Sequence, residues 1–313
     1  MAGRDIRRVV AAAGLHSTAD KLLAARRLLA GMAAVEDTEV WMVDDREGLA
    51  AYLAAEVGPW LHRVPEGQAE GSARTPEWTR RLEDVGVSVL VAVGGDGTQR
   101  LVAQARPQVP VLPVAGGTNN VACWVGDETA AGMAAARYAA GGLRLSDVAR
   151  RVKWIRVEGE VEAPEVALVD LAWVRRSFTG ARAVWEPEAV GALVLAQADP
   201  ARPGLSNLGG HLCPVGPGID GGLFVACAEP GRGQPVPTIL APGLVRPVWV
   251  ERWEPLALGA VRELRESEGG TLALDGERWV VLPQGAAVWV RVEREGPWFL
   301  EPERVLAPQT GAE

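Results

Sequence analysis

The sequence predicts an α/β domain over residues 1–145, built on a Rossmann-like parallel sheet, and a β-rich, sandwich-like domain over residues 146–313 whose last strands can return to the first. Three observations carry that expectation. Apolar runs such as "VSVLVAV" and "VPVLPVA" alternate with amphipathic segments, as strands buried on both faces alternate with covering helices. Both runs end in glycines, where a parallel strand hands the chain to its next helix. From about Arg151 the texture changes to short apolar stretches between Gly and Pro turns, which is the pattern of antiparallel sheets.

Taken in order, Ser17 or Thr18 caps a helix over residues 19–29, with Leu22, Leu29 and Met32 as its apolar stripe. Asp20 is placed for a capping box and Gly31 for the stop. "TEVWMVDD" reads as a strand, "REGLAAYLAAEV" as a helix, "RVPEGQAEGSARTPE" as a flexible loop and "PEWTRRLEDVG" as another helix. The strand "VSVLVAV" follows, then "GGDGT", a helix near residues 99–105, the strand "VPVLPVA", the loop "GGTNN" and a helix over residues 128–140. The second half offers strands at "KWIRVEGEV", "EVALVDLAWV", "GALVLAQA", "GGLFVACAE", "VRPVWVERW", "TLALDGERWVVL" and "AAVWVRVER", with "PGRGQPVP" as a surface loop.

Composition narrows the function. At 313 residues and 48% hydrophobic, the chain is long enough for two cores. A net charge of -8 argues against a general nucleic-acid binder, which needs surplus Lys and Arg. Lysine occurs only at Lys21 and Lys153, and neither follows a glycine loop, so a Walker A loop is excluded. Cys123, Cys213 and Cys227 have no metal-ligand spacing and fit buried thiols in a reducing compartment. His16, His62 and His211 are scattered, which leaves no His-rich metal site. The apolar run in "MAGRDIRRVVAAAGLHSTAD" is too short to span a membrane and no clean cleavage site follows it, so a cytoplasmic protein is expected.

The glycine loops carry the chemistry. Glycines let backbone N–H groups approach phosphate oxygens, and the next helix turns its positive end toward the same anion. Asp96 is out of place in such a cradle, because a carboxylate repels a phosphate. The conflict resolves if Asp96 takes a proton from an attacking hydroxyl or helps hold magnesium on the phosphates, and both roles belong to phosphoryl transfer. The competing reading is an aspartate that caps its helix beside glycines that turn the chain. The second loop adds Gly117, Thr118, Asn119 and Asn120, a hydroxyl and two amides suited to ribose or phosphate; an Asx turn and helix cap is the alternative.

The pieces "GRDIRR", "KLLAARRLLAGM", "GGDGTQR", "GGTNNV", "TAAGMAA", "ALVD", "GARAVW", "GLSNLGG", "APGLV" and "LALDGER" run in order along nearly the whole chain. In these the sequence resembles the superfamily of NAD, diacylglycerol and sphingosine kinases, and more narrowly the ATP-NAD kinase-like acetoin catabolism protein X family. The resemblance implies a nucleotide cleft between two domains, ATP or another phosphoryl donor, Mg2+ carried by the phosphates, and a homodimer. It makes Asp96 the group that activates the acceptor hydroxyl and places Gly94, Gly95, Gly97 and Thr98 on phosphates. Asp170 falls where NAD kinases carry an Asn-Glu pair, with Val169 at the Asn position. Ser206 and Asn207 fall near a Thr-Gly-Ser-Thr-Ala-Tyr stretch, as acceptor contacts.

"LDGER" resembles both the Asp-Gly-Gln of NAD kinases and the Asp-Gly-Glu of bacterial lipid kinases, which makes Asp275 and Glu277 candidate second acids. A type I′ hairpin turn is the plain reading of the same residues. The family's opening strand and its Asn-Pro and Ser-Gly-Lys-like loop have no match before "DIRR"; a late start assignment is one reading, and a genuine loss, which leaves the parallel sheet one member short, is the other. Arg100 and Arg182 are candidates to pair with phosphates, and Trp124 to stack on a base. Three functions follow as expectations: an NAD-type kinase with NAD as first-choice acceptor, a kinase for a lipid or other small hydroxylated metabolite, and a nucleotide-binding regulator without catalysis.

Overall fold

The computed structural model describes residues 18–175, 186–265, 269–276 and 278–308. Its first half alternates helices and strands: α1 (Thr18–Met32), β1 (Val40–Val43), α2 (Leu49–Val57), β2 (Leu61–Val64), α3 (Arg74–Asp84), β3 (Leu90–Gly94), α4 (Asp96–Gln104), β4 (Val111–Ala115), α5 (Glu128–Ala139) and α6 (Leu145–Val148). Asp127 caps α5, its side chain accepting from the Thr129 N–H at 2.8 Å.

Gly31 is a correction. It lies inside α1 rather than ending it, and a Cβ there would sit 1.9 Å from the Thr129 carbonyl oxygen of α5. Gly132 of α5 answers it, with a Cβ that would lie 2.0 Å from the Leu28 carbonyl. Two helices with glycines at the crossing approach backbone to backbone, and packing overrides the stop signal. A second correction is β2: the sequence pattern starts a loop at Arg63 and gives Leu61 and His62 to no element, whereas Leu61–Val64 form a strand.

The parallel layer comes in two pieces. β1 pairs with β2 in parallel, and β3 with β4 in parallel, but among the described residues no ladder joins β1 to β3. Both pairs contribute to one apolar core with Leu28, Leu53 and Ala134 of the helices on one face. Leu82, Val102 and Ala103 pack on the other.

The second half holds β5 (Ala149–Arg151), β6 (Trp154–Gly159), β7 (Glu165–Ala167), β8 (Asp170–Val174), β9 (Val190–Leu195), α7 (Leu205–Leu212), β10 (Gly222–Cys227), β11 (Gln234–Ala241), β12 (Leu244–Leu256), β13 (Arg262–Arg265), β14 (Gly270–Leu274), β15 (Arg278–Leu282), β16 (Ala287–Glu293), β17 (Trp298–Leu300) and α8 (Pro302–Leu306). A seven-stranded antiparallel sheet in the order β11-β12-β10-β9-β8-β14-β15 packs against a four-stranded one, β13-β16-β6-β7. Ile155, Val194, Leu272 and Val290 fill the space between them. This is the expected β-rich half, and the α/β first half stands with it. β17 crosses back to the first half, parallel to β4 and antiparallel to β5, in the sheet order β3-β4-β17-β5.

Candidate active site

The two glycine loops meet at the carboxyl ends of β3 and β4. The parallel register sets Gly94 opposite Ala115, so both loops leave the sheet at the same level. There the backbones touch: a Cβ on Gly117 would lie 2.5 Å from the Gly95 Cα, and one on Gly95 would lie 2.8 Å from the Asn119 carbonyl oxygen. The Gly116 N–H donates to the Gly94 carbonyl at 3.1 Å, and the Asp96 N–H to the Asn119 carbonyl at 3.0 Å. The glycines are therefore required first by each other. Gly97 is buried in the first turn of α4, and Thr98 closes over Gly94.

Asp96 opens α4 and is 3% exposed. Its Oδ2 accepts from the Val121 N–H at 3.1 Å and its Oδ1 from the Ala122 N–H at 2.8 Å. Cys123 presents its thiol to the Gly94 carbonyl at 3.2 Å, with Sγ 3.9 Å from Asp96 Oδ1. Burial, then Asp96, pushes that thiol well above its ordinary range. Asp96 thus joins the two loops through the Val121 and Ala122 amides. Sequence reasoning passed over Cys123, although it follows "GGTNN" by only two residues.

The amides of the second loop serve the loop. Asn120 accepts from the Gly117 N–H at 3.0 Å and donates to the Gly117 carbonyl at 2.8 Å. Asn119 has a buried Oδ1 with no hydrogen-bond partner among the described residues, and its Nδ2 lies 3.1 Å from where a Gly204 Cβ would stand. Thr118 is half-buried between them. Gly204, at φ 114°, is the N-cap of α7, so the second half of the chain meets the second loop here.

From the other side comes Asp275, 3% exposed. Its carboxylate accepts from the N–H groups of Leu168 at 2.8 Å, Val169 at 2.8 Å and Asp170 at 3.2 Å, and its own N–H donates to the Asp170 carbonyl at 2.9 Å. These bonds explain why the apolar stretch "EVALVDLAWV" divides into β7 and β8. Burial pushes Asp275 up to about 7; the Leu168 amide and the Arg100 guanidinium pull it down, and the Asp96 carboxylate raises it. Asp96, Arg100, Asp170 and Asp275 therefore converge, although they lie far apart in sequence.

Asp275 and Gly276 both adopt positive φ, 48° and 68°, as a hairpin turn demands. The ladder closes at Leu274 and Arg278, which makes this a three-residue turn instead of the two-residue type I′ turn expected. Arg100 is 3% exposed, and its charge acts on Asp275, where the sequence treats it as a surface phosphate ligand. Trp124 also departs from expectation: its Nε1 donates to Glu303 of α8 at 2.6 Å, and its ring covers Gly126. Ser206 and Asn207 are fully buried. Ser206 donates to the Gln197 carbonyl, and Asn207 links the Pro200 carbonyl to the Ile239 N–H. Their polar atoms fasten α7 in place. Arg182 and Glu277 lie outside the described residues.

Comparison with known proteins places the chain in a family. The model described as ATP-NAD kinase N-terminal domain matches residues 17–142, and that described as Acetoin catabolism protein X C-terminal domain matches residues 153–295. Acetoin catabolism protein X of Cupriavidus necator is 36% identical over 292 residues, covering 89% of this chain and 81% of its own length. The chain belongs to the acetoin catabolism protein X family. A crystal structure of yeast NADH kinase complexed with NADH superposes with a TM-score of 0.51 at 14% identity, covering 91% of this chain and 80% of that one. That likeness shows the fold. Membership in the acetoin catabolism protein X family bears out the resemblance read from "GGDGT" through "LALDGER".

Among the described residues no group of three His, Cys, Asp or Glu side chains is arranged to hold a metal ion. No helix among them is long and apolar enough to cross a membrane.

Proposed function

We propose that the protein is an ATP-dependent phosphotransferase of the NAD kinase type, with NAD as its first-choice acceptor. The observation that carries this reading is the position of Asp96. It sits at the carboxyl edge of the parallel strands, at the mouth of α4, between two glycine loops and against a second acid from the other domain. Ligands of open α/β sheets bind at that edge.

In this reading the N–H groups of Gly95 and Gly97 and the Thr118 hydroxyl hold donor phosphates, while the Gly117 and Thr98 N–H groups shape the cradle by donating to Asn120 and to the Gly95 carbonyl. Asp96, held in place by the Val121 and Ala122 amides, accepts the proton of the attacking hydroxyl. Asp170 lies on the acceptor side, and Asp275 holds the 168–170 backbone on which that side depends. Ser206 and Asn207 act by seating α7, whose N-cap faces Asn119. Magnesium belongs to the donor phosphates and enters with them.

Incubating purified protein with ATP and NAD and measuring NADP tests the acceptor. Product at a rate abolished in Asp96→Asn supports the reading. ATP consumption with other hydroxylated acceptors but not with NAD moves the acceptor to a lipid or small metabolite. One observation favours a regulator without catalysis: Asp96 is 3% exposed, with both carboxylate oxygens already accepting backbone N–H groups. Nucleotide binding by calorimetry without turnover of any acceptor is the outcome that selects it.

A further inference from the structure

Lys153 has no part in the site above, yet it is 2% exposed and carries an ammonium into the protein interior. Such burial is costly unless every donor is used. Its Nζ donates to the Gly221 carbonyl at 2.8 Å and the Gly216 carbonyl at 3.2 Å. Arg294 grips the same loop from its other side, donating to the Pro217 carbonyl at 3.1 Å and the Ile219 carbonyl at 3.1 Å, and pairing with Asp220 at 2.6 Å. Four carbonyls and one carboxylate of residues 216–221 are thereby held by two cations.

The two cations stand on the two links between the halves of the protein. Lys153 lies between β5 and β6, and Arg294 between β16 and β17. The links run side by side, joined by Val152 N–H to Pro297 carbonyl at 2.9 Å and Gly296 N–H to Val152 carbonyl at 3.0 Å. The gripped loop, in turn, is continuous with α7. Between them, Val215 and Ala198 exchange hydrogen bonds at 2.9 and 3.0 Å, and Gly210 of α7 packs on the backbone of residues 199–200. At its other end, α7 begins at Gly204 against Asn119 of the second glycine loop.

We propose that Lys153 and Arg294 form a clamp that fixes loop 216–221 to the interdomain links and so positions the N-terminus of α7 at the glycine loops. Both are positioning residues, acting on the cleft through α7 without touching what binds there. Burial lowers Lys153 to about 8, with Arg294 and Arg150 lowering it further and Asp220 raising it. A neutral amine still has two N–H donors for two carbonyls, so the grip persists in either form. The clamp is a property of the fold and does not depend on the phosphotransfer reading.

Hydrogen exchange on the full chain tests the clamp without any substrate. Lys153→Ala, which removes both donors, is expected to speed exchange in residues 216–221 and at the N-terminus of α7 by about tenfold or more, the effect of losing charge-assisted hydrogen bonds. The β9 amides should stay protected. Added ammonium ion should slow both segments again, and Lys153→Met, which fills most of the same space without donors, should respond to no amine. Arg294→Gln gives the same test from the other link if the Lys153 variants do not fold. The proposal is overturned if loop 216–221 exchanges as in the parent chain, or if the loop loosens while the α7 N-terminus does not.

Discussion

Replacing Asp96 by Asn separates its bracing role from its proposed chemistry. The carboxylate accepts two backbone N–H groups, at 3.1 and 2.8 Å, in a site 3% exposed. An amide side chain can satisfy only one of them and turns its own NH2 toward the other. One charge-assisted bond worth about 1.5–3 kcal/mol is lost, and the remaining one is weakened to a neutral bond of about 1 kcal/mol. The expected destabilisation is about 2–5 kcal/mol, which falls on the contact between residues 121–122 and α4. Chemical denaturation monitored by tryptophan fluorescence reads it as a lower midpoint at unchanged slope. Asp96→Glu, which keeps the charge but lengthens the side chain, should recover part of the loss. An Asp96→Asn midpoint equal to that of the parent chain would refute the bracing geometry, whatever the enzyme does.

Other expectations follow from the same contacts. Gly117→Ala puts a methyl 2.5 Å from the Gly95 Cα, where neither backbone can yield, so it should cost about 1–3 kcal/mol and weaken nucleotide binding by calorimetry. Gly132→Ala, whose Cβ would lie 2.0 Å from the Leu28 carbonyl, should destabilise the α1–α5 contact and leave nucleotide affinity unchanged. Asp275, whose folded value is raised to about 7 from a free value near 4, stabilises below the free value and loses that contribution as pH rises through 7. Denaturation at pH 5 and pH 8 should therefore show Asp275→Asn gaining on the parent chain as pH rises, and no change in the difference would contradict this.

What the sequence made legible and what it concealed divide along physical lines. "GGDGT" and "GGTNN" were readable because glycines after an apolar run have few other uses, and parallel strands bring successive loops to one edge. Gly31 was misread because a helix stop and a helix crossing require the same residue. β2 was lost because four residues before a polar loop carry almost no periodicity. α7 was lost because "GLSNLGGHL" has poor helix propensity, and its helix is held by Ser206, Asn207 and the contact of Gly210 with Pro200. The meeting of Asp275 with residues 168–170 joins segments over a hundred residues apart, and no local pattern announces it. Arg100 follows the same logic, since its burial depends on the other domain.

The central claim is that Asp96 serves phosphoryl transfer and not only the joining of two loops. The most direct measurement is NADP formation from ATP and NAD by the parent chain, Asp96→Asn and Asp96→Glu, with folded fraction measured on the same samples. The account predicts product from the parent chain and a loss of about 100-fold or more in Asp96→Asn after correction for folding, the usual range for a missing proton acceptor. Turnover that survives in folded Asp96→Asn would contradict it.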